Sequence, residues 1–205
     1  LFTSIGGQSR SAIAALDAAT GLATAWDPSV SGGFPTAIRA LVVHGNTVFV
    51  GGDFSSAGGQ PRRAIAALDA ATGLAAPWDP NPNSFSTISD LAADGTSVYA
   101  VGDFSTIGGQ PRSGVAQLNG TTGLATSWNP SPSLFSLQSL AVTPSTVYVG
   151  GYGAEAYDVA SGATTGWSPN PFGQVDALVV DGATVYAGGS FSTIDSQARE
   201  RIAAL

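Results

Sequence analysis

The chain has 205 residues and carries 7 basic and 14 acidic side chains, a net charge of −7. Only 10% of it is charged, against roughly 25% in ordinary soluble domains, and with 27 Gly and 12 Pro it reads as a turn-rich all-β protein long enough to bury a core. The acidic balance, without a single lysine, opposes a nucleic-acid partner, and the lack of cysteine excludes disulfides, thiolate nucleophiles and thiolate metal sites.

In chain order, an aromatic phase marker comes first, at Phe2, and returns at Phe54, Phe104, Tyr152 and Phe191, at intervals of 52, 50, 48 and 39. A tryptophan follows at a fixed distance: Trp26, Trp78 and Trp128 each stand 24 residues after their marker, and Trp167 stands 15 after Tyr152. The unit that begins at Tyr152 has therefore lost 9 residues, in the place where its neighbours read Gly58-Gly59-Gln60-Pro61-Arg62 and Gly108-Gly109-Gln110-Pro111-Arg112. A segment that vanishes without spoiling the register is a loop.

Within one unit, apolar runs at 37–43, 47–52, 64–69 and 75–78 are separated by turn signals, which predicts four strands. His44-Gly45-Asn46, Asp94-Gly95 and Asp181-Gly182 are hairpin turns between the first two. Runs such as Ala40-Leu41-Val42-Val43 do not alternate strictly, as expected of sheets covered on both faces. Four antiparallel strands repeated every 40 to 50 residues predict the blades of a β-propeller, in one domain or part of one over residues 1–205. Residues 191–205 repeat residues 2–16, so in a ring of four closed by this chain alone both would claim one third-strand position. That conflict, the missing Met and the mid-motif end at Leu205 lead to the expectation of an excerpt from a ring of five to eight blades.

The stretch Ala15-Leu16-Asp17-Ala18-Ala19-Thr20-Gly21-Leu22-Ala23-Thr24-Ala25-Trp26, repeated at 67–78 and 117–128, resembles the tryptophan-docking motif of quinoprotein-like propellers. With Gly51-Gly52-Asp53-Phe54-Ser55-Ser56 and the Gly-Gly-Gln-Pro-Arg segments, the whole unit looks more like the bacterial extracellular repeats of the delta-60 class. The resemblance implies a staple between blades, in which Asp and Thr tighten the turn from third to fourth strand and the indole packs on the neighbouring blade. Two departures stand out: Gln117 replaces an alanine, and four residues rather than three separate Gly21 from Trp26. A quinone cofactor is not implied, because the calcium site and vicinal disulfide of true quinoproteins have no match here.

Candidate sites follow from the repeats. Trp26, Trp78, Trp128 and Trp167, in Trp-Asp-Pro, Trp-Asn-Pro or Trp-Ser-Pro turns, and Arg62 and Arg112 are the candidate contacts to a ligand or partner, although regular spacing better suits tryptophans buried between blades, where they set blade geometry. Asp53 and Asp103, nine residues before those arginines, are expected to clasp the loop by accepting turn amides and pairing with Arg. Phe34, Phe85, Phe135 and Phe172 form a second repeated set, expected to pack between blades. His44 stands alone in a turn, and Glu155 with Asp158 lies too close on one hairpin for glycosidase chemistry. No catalytic residue, cofactor or metal is expected. The reading is a non-catalytic propeller, extracellular or periplasmic, serving as a scaffold or protein-interaction subunit that meets a protein partner or cell-surface polymer. A lectin-like binder of carbohydrate is the alternative, and it requires exposed Trp or Phe at equivalent places in several blades.

Overall fold

The computed structural model describes residues 2–205, which form strands and turns and contain no helix. In blade 1 the strand Ala37–His44 pairs antiparallel with Thr47–Asp53, which pairs in turn with Ile65–Asp69. Blade 2 repeats this with Thr87–Ala93, Ser97–Asp103 and Val115–Asn119, and blade 4 with Val175–Asp181, Thr184–Gly189 and Ile202–Ala204. Blade 3 pairs Phe135–Val142 with one long run, Thr146–Asp158. That run folds back on itself: the Val159 N–H donates to the Ser145 carbonyl at 2.9 Å, as Ala70 does to Asn46 at 2.9 Å and Gly120 to Thr96 at 2.8 Å in the full blades.

The fourth strand is shorter than its apolar run suggests. It amounts to single bridges, Leu68 to Ala75, Leu118 to Ala125 and Tyr157 to Thr164. Where a threonine follows the bridge, the Thr24, Thr126 and Thr165 hydroxyls accept the N–H of the tryptophan two residues on, at 3.2 to 3.3 Å; blade 1 has Ala76 there and its fourth strand is equally short.

First strands of adjacent blades pack on one another whereas third strands do not, so the sheets fan out from an axis beside the first strands. Contacts run from blade 1 to 2, 2 to 3 and 3 to 4. The two segments that share one repeat position occupy separate places. Ile13 packs with Val50 and Leu68 of blade 1, while Ile202–Ala204 pairs within blade 4. Leu41 and Val43 on blade 1, and Val179, Tyr186 and Ile202 on blade 4, are exposed.

The core lies in the gaps between sheets, as four apolar clusters. Close approach is set by small residues in the second strands. A Cβ on Gly51 would lie 2.6 Å from Ile88 Cγ2, and one on Gly150 would lie 2.8 Å from Val175 Cγ1. Polar atoms also cross the gap: Asp90 accepts the Leu140 N–H of blade 3 at 2.9 Å and its neighbour Leu91 at 2.8 Å.

The tryptophans lock this arrangement. Trp26, Trp78 and Trp128 are 7%, 4% and 2% exposed, and each indole N–H donates to a carbonyl of the next blade: Asp69 at 3.0 Å, Asn119 at 3.0 Å and Asp158 at 2.9 Å. The acceptor residue is the one whose side chain closes its own turn. Asp69 Oδ1 accepts from Ala71 N, Thr72 N and Thr72 Oγ1 at 2.8 to 3.1 Å, and Asn119 does the same with Thr121 and Thr122. The Thr72 hydroxyl and amide hold the Asp69 carboxyl below its ordinary range. Gln117 does not disturb the docking, because it donates to the Tyr99 hydroxyl at 2.8 Å and accepts from Thr126 Oγ1 at 2.6 Å. Burial is the main reason the Tyr99 phenol is pushed up to about 12. Trp167 is half-buried, edge-on to Tyr148 at 5.1 Å, and has no such carbonyl bond among the described residues.

Two outcomes are expected. Trp128→Phe removes a buried hydrogen bond and leaves a cavity, so it should lower unfolding free energy by about 2 kcal/mol in urea titration, whereas Trp167→Phe should cost less than about 1 kcal/mol. Equal losses would contradict the staple. Asp90 is pushed above its ordinary pKa by burial, against the pull of its two amide bonds. A raised folded-state pKa contributes stability that is full below the unfolded value of about 3.9 and is lost as pH rises through the folded value. The melting temperature of Asp90→Asn, relative to wild type, should therefore rise between about pH 3 and pH 7, and a constant difference by calorimetry would contradict this.

Candidate functional site

With the indoles committed to the core, the surface at the strand ends belongs to two kinds of loop. One leads from each tryptophan into the next first strand. The other joins second to third strands and contains a two-residue hairpin: Ser56–Ala57 with Gln60–Pro61, Thr106–Ile107 with Gln110–Pro111, and Thr193–Ile194 with Gln197–Ala198. Gly58, at φ +59°, turns the first of these where a Cβ would sit 2.3 Å from the Ala75 nitrogen.

The arginine after the hairpin is a clasp, with a partner other than the expected one. Arg62 donates to the carbonyls of Pro61 at 2.8 Å and Ala76 at 2.7 Å, and lies 3.7 Å from Asp79 of the Trp-Asp-Pro turn. Arg10 repeats this with Thr24 and Asp27. Arg112 holds the Pro111 and Thr126 carbonyls, has its pKa lowered by burial, and belongs to a unit with Asn129 at the position of that aspartate. Arg62 therefore reaches forward to the turn after its own tryptophan, not back to Asp53, and neither Asp53 nor Asp103 accepts a side-chain hydrogen bond among the described residues.

The repeated phenylalanines do not pack between blades. Phe34, Phe85, Phe135 and Phe172 are 100%, 99%, 78% and 77% exposed, at the ends of the four lead-in loops. Trp26, Trp78 and Trp128 are buried, as their regular spacing suggests, whereas the phenylalanines expected beside them are at the surface. Leaving each phenyl ring in water forgoes roughly 1.5–3 kcal/mol of burial, so the row is a surface feature in need of a contact.

Two clefts flank Phe135. The first, about 560 Å³, lies between blades 2 and 3 and is lined by Arg39, Ser89, Asp103, Gln138, Phe135 and backbone of the neighbouring strands. Arg39 and Ser89 sit at bulges, where the register shifts between Ile38 and Ala40 and between Ile88 and Asp90, and Gln138 lies within the corresponding shift of blade 3. A bulge re-aims a side chain out of the sheet, which is how these three polar groups reach the cleft. Nothing in residue type marks such positions, and sequence reasoning missed them.

The second cleft, about 570 Å³, lies between blades 3 and 4 and is lined by Phe135, Tyr152, Glu155, Ser168, Asn170 and Phe172 among others. It opens where blade 3 lacks the hairpin. In blade 2 the lead-in loop is tied to that hairpin by Asn83 Oδ1, which accepts the N–H groups of Ser105 and Thr106 at 2.8 and 3.0 Å. Ser133 takes the place of Asn83 and bonds Glu155 instead, through its amide at 3.3 Å and its hydroxyl. Glu155 also accepts the Tyr157 hydroxyl, and burial together with this carboxylate drives the Tyr157 pKa far upward. Tyr152, opposite Phe135 in the strand pair, is left exposed. No group of three or more His, Cys, Asp or Glu that could hold a metal lies among the described residues, and no helix is long and apolar enough to cross a membrane.

Comparison with known proteins supports this architecture. A family described as a β-propeller domain of unknown function (DUF5122) matches residues 92–121. No curated protein matches the chain. Among solved structures, the computationally designed Ika4 protein is similar with a TM-score of 0.60 at 18% identity, over 85% of this chain and 94% of Ika4. The designed Ika8 protein is similar with a TM-score of 0.60 at 20% identity, over 88% of this chain but only 52% of Ika8. The extracellular domain of BT4673 from B. thetaiotaomicron, described as a one-component system, is similar with a TM-score of 0.51 at 17% identity, over 82% of this chain and 22% of that one. At these identities the likeness shows the fold, an all-β propeller.

The clasp assigns Arg62 to stability. Arg62→Lys keeps the charge but loses the fork that holds two carbonyls, and should lower unfolding free energy by about 1–2 kcal/mol, read by urea titration. An unchanged midpoint would return Arg62 to the pool of surface contacts.

Proposed function

We propose that the chain is a non-catalytic binding module, a rigid propeller that scaffolds an extracellular or periplasmic bacterial assembly by gripping a protein partner or cell-surface polymer. The observation that carries this reading is the row of four exposed phenylalanines, one at or just before the start of each first strand, on a molecule that buries Trp26, Trp78 and Trp128 in packing. Repetition of a modest contact on a rigid body raises avidity without any single strong site. The clefts favour binding over chemistry: each has one carboxylate in its lining, Asp103 or Glu155, and the second is occupied in holding Ser133 and Tyr157. The BT4673 neighbour, an extracellular domain, is consistent with a place outside the cytoplasm.

The test is co-sedimentation with a bacterial envelope fraction. Wild type should pellet with it, and the variant carrying Phe34→Ser, Phe85→Ser, Phe135→Ser and Phe172→Ser should stay in the supernatant with an unchanged melting temperature, since all four side chains are at the surface. Equal sedimentation of the two proteins would overturn the reading.

A further inference from the structure

The two clefts beside Phe135 differ from the rest of the row in combining aromatic faces with hydrogen-bonding groups. From their chemistry we infer that they are a carbohydrate site, binding a neutral polysaccharide that runs from the gap between blades 2 and 3 into the gap between blades 3 and 4. This rests on the proposed function and names the polymer it would take.

The second cleft is the more complete. Phe135, Tyr152 and Phe172 bring three exposed rings to its walls, and none of the three stacks on another aromatic ring in the structure. Free ring faces suit the C–H faces of a pyranose, which is apolar above and below and hydroxylated around its edge. The edge is met by the Tyr152 phenol and by Ser168 and Asn170, all at exposed positions; the Ser168 hydroxyl donates to Asn170 Oδ1 at 3.2 Å, which leaves the Asn170 amide N–H groups to face a ligand. An apolar side chain alone would leave that rim of hydroxyls and amides unused.

Charge selects among sugars. The second cleft has no Arg or His in its lining, and Glu155 supplies its only formal charge, in a molecule of net charge −7. Uronate and sulfated chains are therefore repelled there, and a neutral chain is not. The first cleft continues the path, since Phe135 walls both, and offers Ser89, Gln138 and the oppositely charged Arg39 and Asp103 to further hydroxyls. Each space is within the roughly 300–1,000 Å³ usual for small-molecule sites, so each accommodates sugar rings rather than a protein element.

The geometry is held from behind. Glu155 fixes Ser133, next to Leu134 and Phe135, and Gly153 at φ +115° makes room for Leu134, whose Cδ2 would otherwise lie 2.4 Å from a Cβ. Glu155 is thus a positioning residue for the Phe135 wall.

The probes are soluble β-glucan, xylan, galactomannan and α-mannan in affinity gel electrophoresis, with polygalacturonate as the anionic control. Wild type should be retarded by at least one neutral polymer and not by polygalacturonate. Tyr152→Ala and Phe172→Ala should each weaken that retardation by about tenfold, and Leu41→Ala, exposed on blade 1 and outside both clefts, should leave it unchanged. Glu155→Gln should weaken it while leaving the melting temperature within a few degrees, a split that a merely structural role would not give. Retardation by no neutral polymer, or full retardation of Tyr152→Ala, would overturn the carbohydrate site. Envelope treatment separates this from the broader reading. Periodate, which cleaves vicinal diols, should abolish co-sedimentation and protease should not. The reverse result would sink the polysaccharide while leaving a protein-binding Phe face intact.

Discussion

The bond from the indole N–H of Trp26, Trp78 and Trp128 to a carbonyl of the next blade is the constraint on which the rest depends. Its acceptor is not an arbitrary backbone group but the residue that begins the turn from third to fourth strand, whose own side chain accepts the amides of that turn. One residue type, Asp or Asn, therefore fixes a local turn and presents the anchor for a neighbour. At the joint between blades 1 and 2, held by Trp78 and Asn119, the spacing is short enough that Gly51 must lack a Cβ where Ile88 approaches. Edge-on aromatic contacts, Phe49 to Trp78 at 5.1 Å and Tyr99 to Trp128 at 5.8 Å, complete the same joints.

A fold built this way divides its aromatic residues by necessity. A large side chain required in every gap is unavailable to a ligand, so recognition falls to residues that the gap does not need. The phenylalanines of the lead-in loops are such residues: they come after the staple and before the first strand, at the ends of the blades, where no neighbouring sheet covers them. Arg62 and Arg10 illustrate the same division among polar groups, with guanidinium groups absorbed in closing the hairpin onto the Trp-Asp-Pro turn. Binding capacity is left to polar side chains that a bulge or a missing loop turns outward.

Periodicity made the architecture legible, because residue spacing records which positions recur in each blade. The phase aromatics, the tryptophan interval and the loss of nine residues after Tyr152 all correspond to real features, and the second and third strands of blade 3 are joined directly as that loss requires. Recurrence does not record which way a side chain faces. Trp78 and Phe85 are both in register, and only the docking bond and the end of the sheet distinguish inside from outside. Pairing suffers likewise: Asp53 and Asp79 are both within reach of Arg62 along the chain, and the fold of the hairpin chooses Asp79. The bulge positions Arg39, Ser89 and Gln138 differ in residue type from blade to blade, so no pattern could point to them.

Blade 3 shows how a repeat protein acquires a distinct surface without risking its fold. Stability in such chains is close to a sum over units and their neighbouring interfaces, so a change confined to one loop is felt locally. The lost hairpin took with it the amides that hold the lead-in loop in blade 2. Ser133 and Glu155 restore that tie with different atoms, and Tyr157, where the other blades have leucine, supplies the hydroxyl that steadies the carboxylate. The indole of Trp128 still reaches Asp158 at 2.9 Å, so the staple is untouched. The loop ends held, the vacated space becomes a cleft rather than a collapse. Its walls include the rings of Phe135, Tyr152 and Phe172, of which Tyr152 is exposed only in this blade: Phe54, Phe104 and Phe191, its counterparts beside a hairpin, are buried.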